Sequence, residues 1–377
     1  MNTLPNPAEL RDRNVRHTDF DALSSRLASI KKGYLSDRYV EMFVEGIKTN
    51  LLRIQGRSGS NLSLKRAIRG NFSEQSLHSK FPIINRGTYL RTVAIDTIVS
   101  KFVDANQRNN SHCQIISIGA GSDTRAFKWL KSNDQLTYVE ADFLDSTKLK
   151  ASVIVGNQQL SSVVSLTPEQ IEQELSESSG ELHGKNYHLV PLDLRQIDDI
   201  KNFLSSSSCI DPQAPTLIIS ECVLCYIDSQ VTYDIMRVFK SCLQRAAVVL
   251  YEPIGLNDSF GKVMVSNLKQ RGISLPTLQS FPTIESQQAR LMDVVSTDDD
   301  KKVTTEHRVF VSDMNFVYDN WVSTTESARI SRLELLDELE EWILLSKHYC
   351  LAIGTWWPTN IDEPFQEDIA ALKWQLC

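Results

Sequence analysis

Apolar residues in the first hundred positions recur at spacings of three and four. Leu23, Leu27 and Ile30 form one stripe, and Tyr39, Phe43, Val44 and Ile47 form a second. Leu90, Ile95, Ile98 and Phe102 continue the same period through Tyr89 to Phe102. That period places each set on one helix face. Gly56-Arg57-Ser58-Gly59-Ser60-Asn61 reads as a loop between helices, and Phe81-Pro82-Ile83-Ile84-Asn85-Arg86-Gly87 as a rigid approach segment.

Beyond residue 110 the pattern changes to short β-rich runs. Gln114 to Ile118 leads into Gly119-Ala120-Gly121-Ser122-Asp123-Thr124-Arg125 and a helix through Phe127 and Leu130. Leu136 to Val139 ends in Glu140-Ala141-Asp142, and Tyr187 to Leu192 ends in Asp193-Leu194. Thr216 to Ser220 ends in Glu221, and Ala246 to Tyr251 in Glu252-Pro253. Continuous apolar strands alternating with helices predict a parallel sheet covered on both faces. Gly156 to Gly184, rich in Ser, Gln and Glu, is expected to be a surface excursion, and 256–330 a second insertion. A long amphipathic helix is expected over Ser331 to Leu345, then a last strand over Tyr349 to Trp356. The expected organisation is an N-terminal helical layer over 1–100, a core over 101–255, a substrate-side insertion over 256–330, and a final helix, strand and tail over 331–377.

The 377 residues are 41% hydrophobic and 23% charged, which suits a folded chain and excludes wholesale disorder. The most apolar stretch, Ala214 to Ile227, is too short to span a bilayer and carries Glu221, so no membrane partner is expected. The N-terminus lacks an apolar signal core, and seven scattered Cys read as reduced thiols, so the expected location is the cytoplasm. Net charge is −7, yet residues 1–100 hold 16 Lys/Arg against 9 Asp/Glu. That asymmetry suits an anionic partner, or simply solvated helix faces.

Ligands of parallel sheets bind beyond the carboxyl ends of the strands. Here those ends carry Gly119 and Gly121, then Glu140 and Asp142, then Asp193, then Glu221. The glycines let backbone approach a ligand, and Asp142, 23 residues beyond Gly119, suits ribose hydroxyls. A dinucleotide fingerprint needs a third glycine where Thr124 stands. The strand-end acids suit a ligand bearing amino, ammonium and sulfonium groups, and S-adenosylmethionine fits. Its carboxylate would need a cation from the basic N-terminal segment.

Several of these segments, in order, resemble the leucine carboxyl methyltransferases. They are Ile84-Asn85-Arg86-Gly87-Thr88-Tyr89-Leu90-Arg91, Gly119-Ala120-Gly121-Ser122-Asp123, Glu140-Ala141-Asp142, Asp193-Leu194-Arg195 and Ile219 to Tyr226. Ser259-Phe260-Gly261, Ser266-Asn267-Leu268 and Leu335 to Glu340 running into His348-Tyr349-Cys350 extend the likeness over roughly Asp21 to Tyr349. The resemblance implies an α/β, Rossmann-like S-adenosylmethionine-dependent methyltransferase core with an N-terminal helical lid. It implies methyl esterification of the C-terminal leucine α-carboxylate of the protein phosphatase 2A catalytic subunit, whose tail would be the partner. It also implies cofactor contacts at Arg91, Gly119, Gly121, Asp142, Asp193, Leu194 and Glu221, with Arg26 where the family often has Lys. The tail with Trp356-Trp357 and Lys373-Trp374 runs longer than the family pattern, and Gly156–Gly184 matches it loosely.

A C-terminal carboxylate, with a pKa of roughly 3.5, is already a nucleophile at neutral pH, so no general base is required. Arg91, with Arg86 as a second candidate, suits bidentate binding of carboxylates, and Tyr226 is the candidate for orienting the acceptor. Tyr226 would otherwise be a core tyrosine. Cys222-x-x-Cys225 reads as buried packing, His183 and His188 as surface histidines, and His348 as a partner of a helix C-terminus, so no metal is expected. Asp298-Asp299-Asp300-Lys301-Lys302 reads as a solvated loop. The competing functions are a tRNA wybutosine-pathway methyltransferase, a small-molecule carboxyl methyltransferase, and a non-catalytic phosphatase-binding module. The first usually carries a further repeat domain, which makes nucleic acid an unfavoured partner. The last has no need of Asp142, Asp193 and Glu221 together.

Overall fold

A computed structural model describes residues 6–54, 62–255, 258–296, 305–359 and 364–377. The loop read at Gly56–Asn61 and the acidic loop at Asp298–Lys302 lie outside the described residues. Five helices open the chain: α1 (Pro7–Lys31), α2 (Arg38–Ile54), α3 (Leu62–Asn71), α4 (Glu74–His78) and α5 (Pro82–Arg108). The predicted stripes face inward, since Leu23, Leu27, Tyr39, Phe43, Val44 and Ile47 are all buried. Pro82 begins α5 instead of stiffening an approach to it, because its fixed φ and missing N–H suit the first helical turn. α5 also runs across residue 100, so no structural break falls at that expected boundary.

The strands are β1 (Cys113–Ile118), β2 (Leu136–Asp142), β3 (Leu182–His183), β4 (Tyr187–Pro191), β5 (Thr216–Glu221), β6 (Ala246–Pro253), β7 (Thr305–Asp313) and β8 (Tyr349–Pro358). They form one sheet in the order β3-β4-β2-β1-β5-β6-β8-β7. β4, β2, β1, β5 and β6 are parallel, as the apolar runs predict. β3 and β8 run antiparallel to their core neighbours β4 and β6, and β7 pairs antiparallel with β8, so the sheet is mixed. Successive strand residues feed opposite layers, with Ile115 and Leu217 on one side and Ile116 and Ile218 on the other. α1, α2, α5 and the helix Leu144–Val155 supply the first layer; the helices Ile197–Ser206, Ser229–Cys242 and Ile284–Val295 supply the second.

Three expectations need correction. Residues 256–330 are not wholly an insertion, because β7 pairs with β8 over Thr305–Asp313. Its first half, Thr305 to Arg308, is not buried, which hid the strand from an apolar pattern. The Ser331–Leu345 helix forms only from Leu339 onward: helices run over Thr324–Ile330 and Leu339–Lys347, with a turn and irregular chain between. Glu334 in that gap accepts from Asn85 Nδ2 at 2.9 Å and pairs with Lys32 at 3.2 Å, so contacts to the N-terminal layer override local propensity. Gly156–Gly184 is not a plain excursion, because it holds the helix Pro168–Glu177 with a Thr167/Gln170 capping box.

The tail completes the core. Trp356 and Trp357 are about 1% exposed within β8, and Phe365 of the helix Pro364–Ala370 packs edge-on against Phe102 of α5. Leu376 exchanges backbone hydrogen bonds with Val311 and so covers part of the β7 edge.

Candidate active site

β1 pairs with β2 on one side and β5 on the other, so the chain turns in opposite directions from β1 and leaves a crevice beyond the β1 and β5 ends. A cavity of about 660 Å³ opens there, within the usual range for small-molecule sites. α1 lies across it, and the helix Leu339–Lys347 contributes Trp342, Leu345 and Ser346. Arg26, Arg91, Gly119, Gly121, Asp142, Asp193, Leu194, Glu221 and Tyr226 all line this one cavity, although they come from seven separate elements and loops.

The loop after β1 requires glycine twice. Gly119 has φ +59° and Gly121 has φ +46°. A Cβ on Gly119 would meet Val223 Cγ2 at 2.5 Å, and one on Gly121 would meet Asp19 Oδ1 at 2.4 Å. Asp19 of α1 accepts from Ser122 N–H at 2.8 Å and from Ser122 Oγ at 2.6 Å. Burial pushes the Asp19 carboxyl up to about 6 against those hydrogen bonds. Sequence reading missed Asp19, which carries no local motif; only its partner 103 residues away gives it a role.

Asp142 accepts from Gly121 N–H at 2.7 Å through one oxygen and from Phe143 N–H at 2.6 Å through the other. The Ser146 hydroxyl also hydrogen-bonds this carboxylate, which leaves about one of its four acceptor sites for a ligand hydroxyl. Burial raises its pKa, with these two N–H groups opposing the rise. Its neighbour Glu140 does not join it: it is buried in an ion pair with Lys150 at 2.7 Å and accepts from Tyr187 Oη at 2.5 Å.

The other acids already hold cations. Asp193 is bridged by Arg195, which also grips Asp12 of α1 with two bonds of 2.9 Å. Burial alone would raise the Asp193 pKa, but the Arg195 bonds bring it below the ordinary value. Glu221 accepts from Arg91 Nε and from Arg125 Nη1. Burial would raise its pKa too, and the two guanidiniums lower it. Arg125, 1% exposed, further binds Asp96 and Asp123 at 2.8 Å. It is a hub that sequence reading left unassigned. Its only signal is its place directly after the glycine loop, within reach of three acids.

Arg91 uses Nε on Glu221 and lies over the Tyr251 ring at 5.1 Å. Its two terminal nitrogens have no protein partner among the described residues. Arg26 pairs with Asp123 at 2.9 Å and Asp37 at 3.2 Å, while its buried Nε has no partner among the described residues. Arg86, the second candidate for a carboxylate, is not in the cavity: it is 5% exposed with its guanidinium 5.7 Å from the Trp342 ring centroid. Burial raises the Tyr226 pKa well above the ordinary value, so this residue remains a phenol and can donate but cannot act as a base at neutral pH.

A second cavity of about 330 Å³ adjoins the first and shares Cys222, Tyr226 and Tyr349 with it. Phe260, Val263, Met264, Leu268 and Leu275 make its walls apolar. Cys222 and Cys225 belong to these walls as thiols whose pKa values burial raises, Cys222 to about 11. All seven cysteines are free. No described helix is long and apolar enough to cross a membrane.

Residues 14–240 match the family model described as leucine carboxyl methyltransferase. A protein named leucine carboxyl methyltransferase 1 from Debaryomyces hansenii is 36% identical over 355 residues, covering 92% of this chain and 93% of its own. One of the same name from Yarrowia lipolytica is 37% identical, covering 94% and 99%. A leucine carboxyl methyltransferase 1 homolog from Arabidopsis thaliana is 33% identical, covering 89% and 87%.

Proposed function

The chain belongs to the leucine carboxyl methyltransferase family and is a methyltransferase, and from that premise we propose that it esterifies the C-terminal leucine of the protein phosphatase 2A catalytic subunit, using S-adenosylmethionine. The observation that carries the reading is the pair of joined cavities, one lined by strand-end acids and arginines and one apolar, meeting at Tyr226.

The residues of the larger cavity fit the cofactor. Asp142 offers its carboxylate to a ribose hydroxyl, and the glycine loop keeps side chains out of the first turn of approach. The free terminal nitrogens of Arg91 suit a carboxylate, and Arg26 adds positive charge at the same wall. When bound, the cofactor supplies an electrophilic methyl on a sulfonium. In-line displacement then demands alignment above all else. The acceptor carboxylate is ionised at neutral pH, which leaves no proton for a base to remove. Tyr226, kept as a phenol, donates a hydrogen bond that fixes one acceptor oxygen, and the apolar cavity takes the leucine side chain. α1 acts as a lid, pinned over the glycine loop by Asp19 and over β4 by the Asp12–Arg195 pair. Arg11 and Arg16 on that lid line the cavity and favour an anionic chain terminus. The reaction is expected in the cytoplasm.

Labelled methyl transfer to purified phosphatase 2A catalytic subunit, with and without its terminal leucine, tests this reading. Label that depends on the leucine supports it. Cofactor binding with equal label on both acceptors, or with none, refutes the acceptor.

A further inference from the structure

The antiparallel register of β3 and β4 places His183 directly opposite His188. Their Nδ1 atoms are 3.1 Å apart, and Cys209 Sγ lies 3.4 Å from His183 Nδ1. All three ligand-type atoms fall within 4.8 Å of one another. Cys209 comes from the loop between the helix Ile197–Ser206 and β5, so three chain segments converge on one point. The sequence hides this convergence, because Cys209 lies 21 positions after His188, beyond the rest of β4, a helix and a loop.

We propose that His183, His188 and Cys209 form a zinc-type metal site that clips the β3–β4 hairpin to the loop before β5. Tetrahedral zinc, with bonds of about 2.0–2.3 Å to nitrogen and sulfur, sets its ligands roughly 3.3–3.7 Å apart, close to the two separations observed. The second nitrogen of His183 completes the case. Nε2 lies 2.8 Å from Glu181 Oε1, which holds the proton on that side of the ring and turns the Nδ1 lone pair toward the other two ligands. One ring nitrogen carries either one proton or one lone pair, so His183 Nδ1 can serve His188 or Cys209 but not both. A metal ion accepts from all three. Two imidazoles and a thiolate favour a borderline-soft divalent ion over calcium or magnesium, and water would fill the fourth position.

The site stands at the amino ends of the parallel strands. His188 precedes Asp193 by five residues, roughly 16 Å along the strand, so the clip is separate from the methyl-transfer cavity. Its role is to hold an edge hairpin in register.

The test is a titration of the metal-free full chain with cobalt(II). The expected result is a thiolate-to-cobalt charge-transfer band that saturates at one equivalent and is displaced by zinc. Cys209→Ser should lose the band while keeping methyl-transfer activity, which shows that it still folds. Glu181→Gln should weaken binding by about 10–100-fold, as loss of a partner behind a metal-bound histidine does. A band that persists in Cys209→Ser, or none at several equivalents in the wild type, overturns the proposal. A second readout needs no variant. Zinc should slow carboxymethylation of Cys209, mapped by mass spectrometry, by roughly tenfold or more, because the bound thiolate is no longer free to attack. Unchanged Cys209 labelling would mean a thiol–imidazole hydrogen-bond cluster only.

Discussion

Replacing Asp142 by asparagine keeps the volume of the side chain but turns one acceptor oxygen into an NH₂ group. In the wild type, one oxygen accepts from Gly121 N–H at 2.7 Å and the other from Phe143 N–H at 2.6 Å. The amide can satisfy only one of them, and its NH₂ must face the other N–H. Leaving a buried donor without an acceptor costs about 1–3 kcal/mol of stability. Cofactor binding carries a separate loss. If the carboxylate receives a ribose hydroxyl, removing that charge costs about 1.5–3 kcal/mol, or roughly 10- to 150-fold in Kd. Urea denaturation measures the first effect, and calorimetric titration with S-adenosylhomocysteine measures the second. The pH slopes have opposite signs. Burial raises the Asp142 pKa in the folded state, so its contribution to stability is present at low pH and lost as pH rises through the raised value. Cofactor affinity needs the ionised acceptor, so it falls on acidification, beginning above the range of an ordinary carboxylate. Wild-type affinity in Asp142→Asn, alongside the expected loss of stability, would refute the ribose contact and leave Asp142 as a loop brace.

Three further outcomes follow from individual contacts. Arg290→Met strands Glu252, since both side chains are fully buried and paired at 2.9 Å, and should cost about 3–5 kcal/mol in urea denaturation. Adding Glu252→Gln should recover much of that, and a loss below about 1 kcal/mol for the single variant would refute the pairing argument. Gly119→Ala imposes a left-handed conformation costing about 1–2 kcal/mol as well as a clash with Val223. Val223→Ala should relieve the clash and leave the backbone cost, so full recovery in the double variant, read by thermal melting, would contradict it. Tyr226→Phe should lower turnover with nearly unchanged cofactor affinity, and the acidic and basic limbs of its pH–rate profile should match the wild type. An affinity loss equal to the turnover loss would place Tyr226 on the cofactor instead.

The local pattern alone determined the five parallel strands and the helices before them, because a strand buried on both faces is apolar throughout and an amphipathic helix repeats every 3.6 residues. Asp142, Asp193 and Glu221 were legible for the same reason: each directly follows such a run, and a strand end in a parallel sheet has a fixed position relative to the crevice. Tertiary structure decided what those acids hold. Arg195, Arg125 and Arg91 neutralise two of them before any ligand arrives, and Asp19 reaches the glycine loop from a helix about a hundred residues away. β7 escaped notice because half of it is exposed, and the start of the Ser331–Leu345 helix gave way to the ties between Glu334 and the N-terminal layer. The His183–His188–Cys209 cluster was likewise invisible, since cross-strand register and a returning loop set its spacing. Periodicity records which face of an element is buried; it holds no information about which distant charge that face will meet.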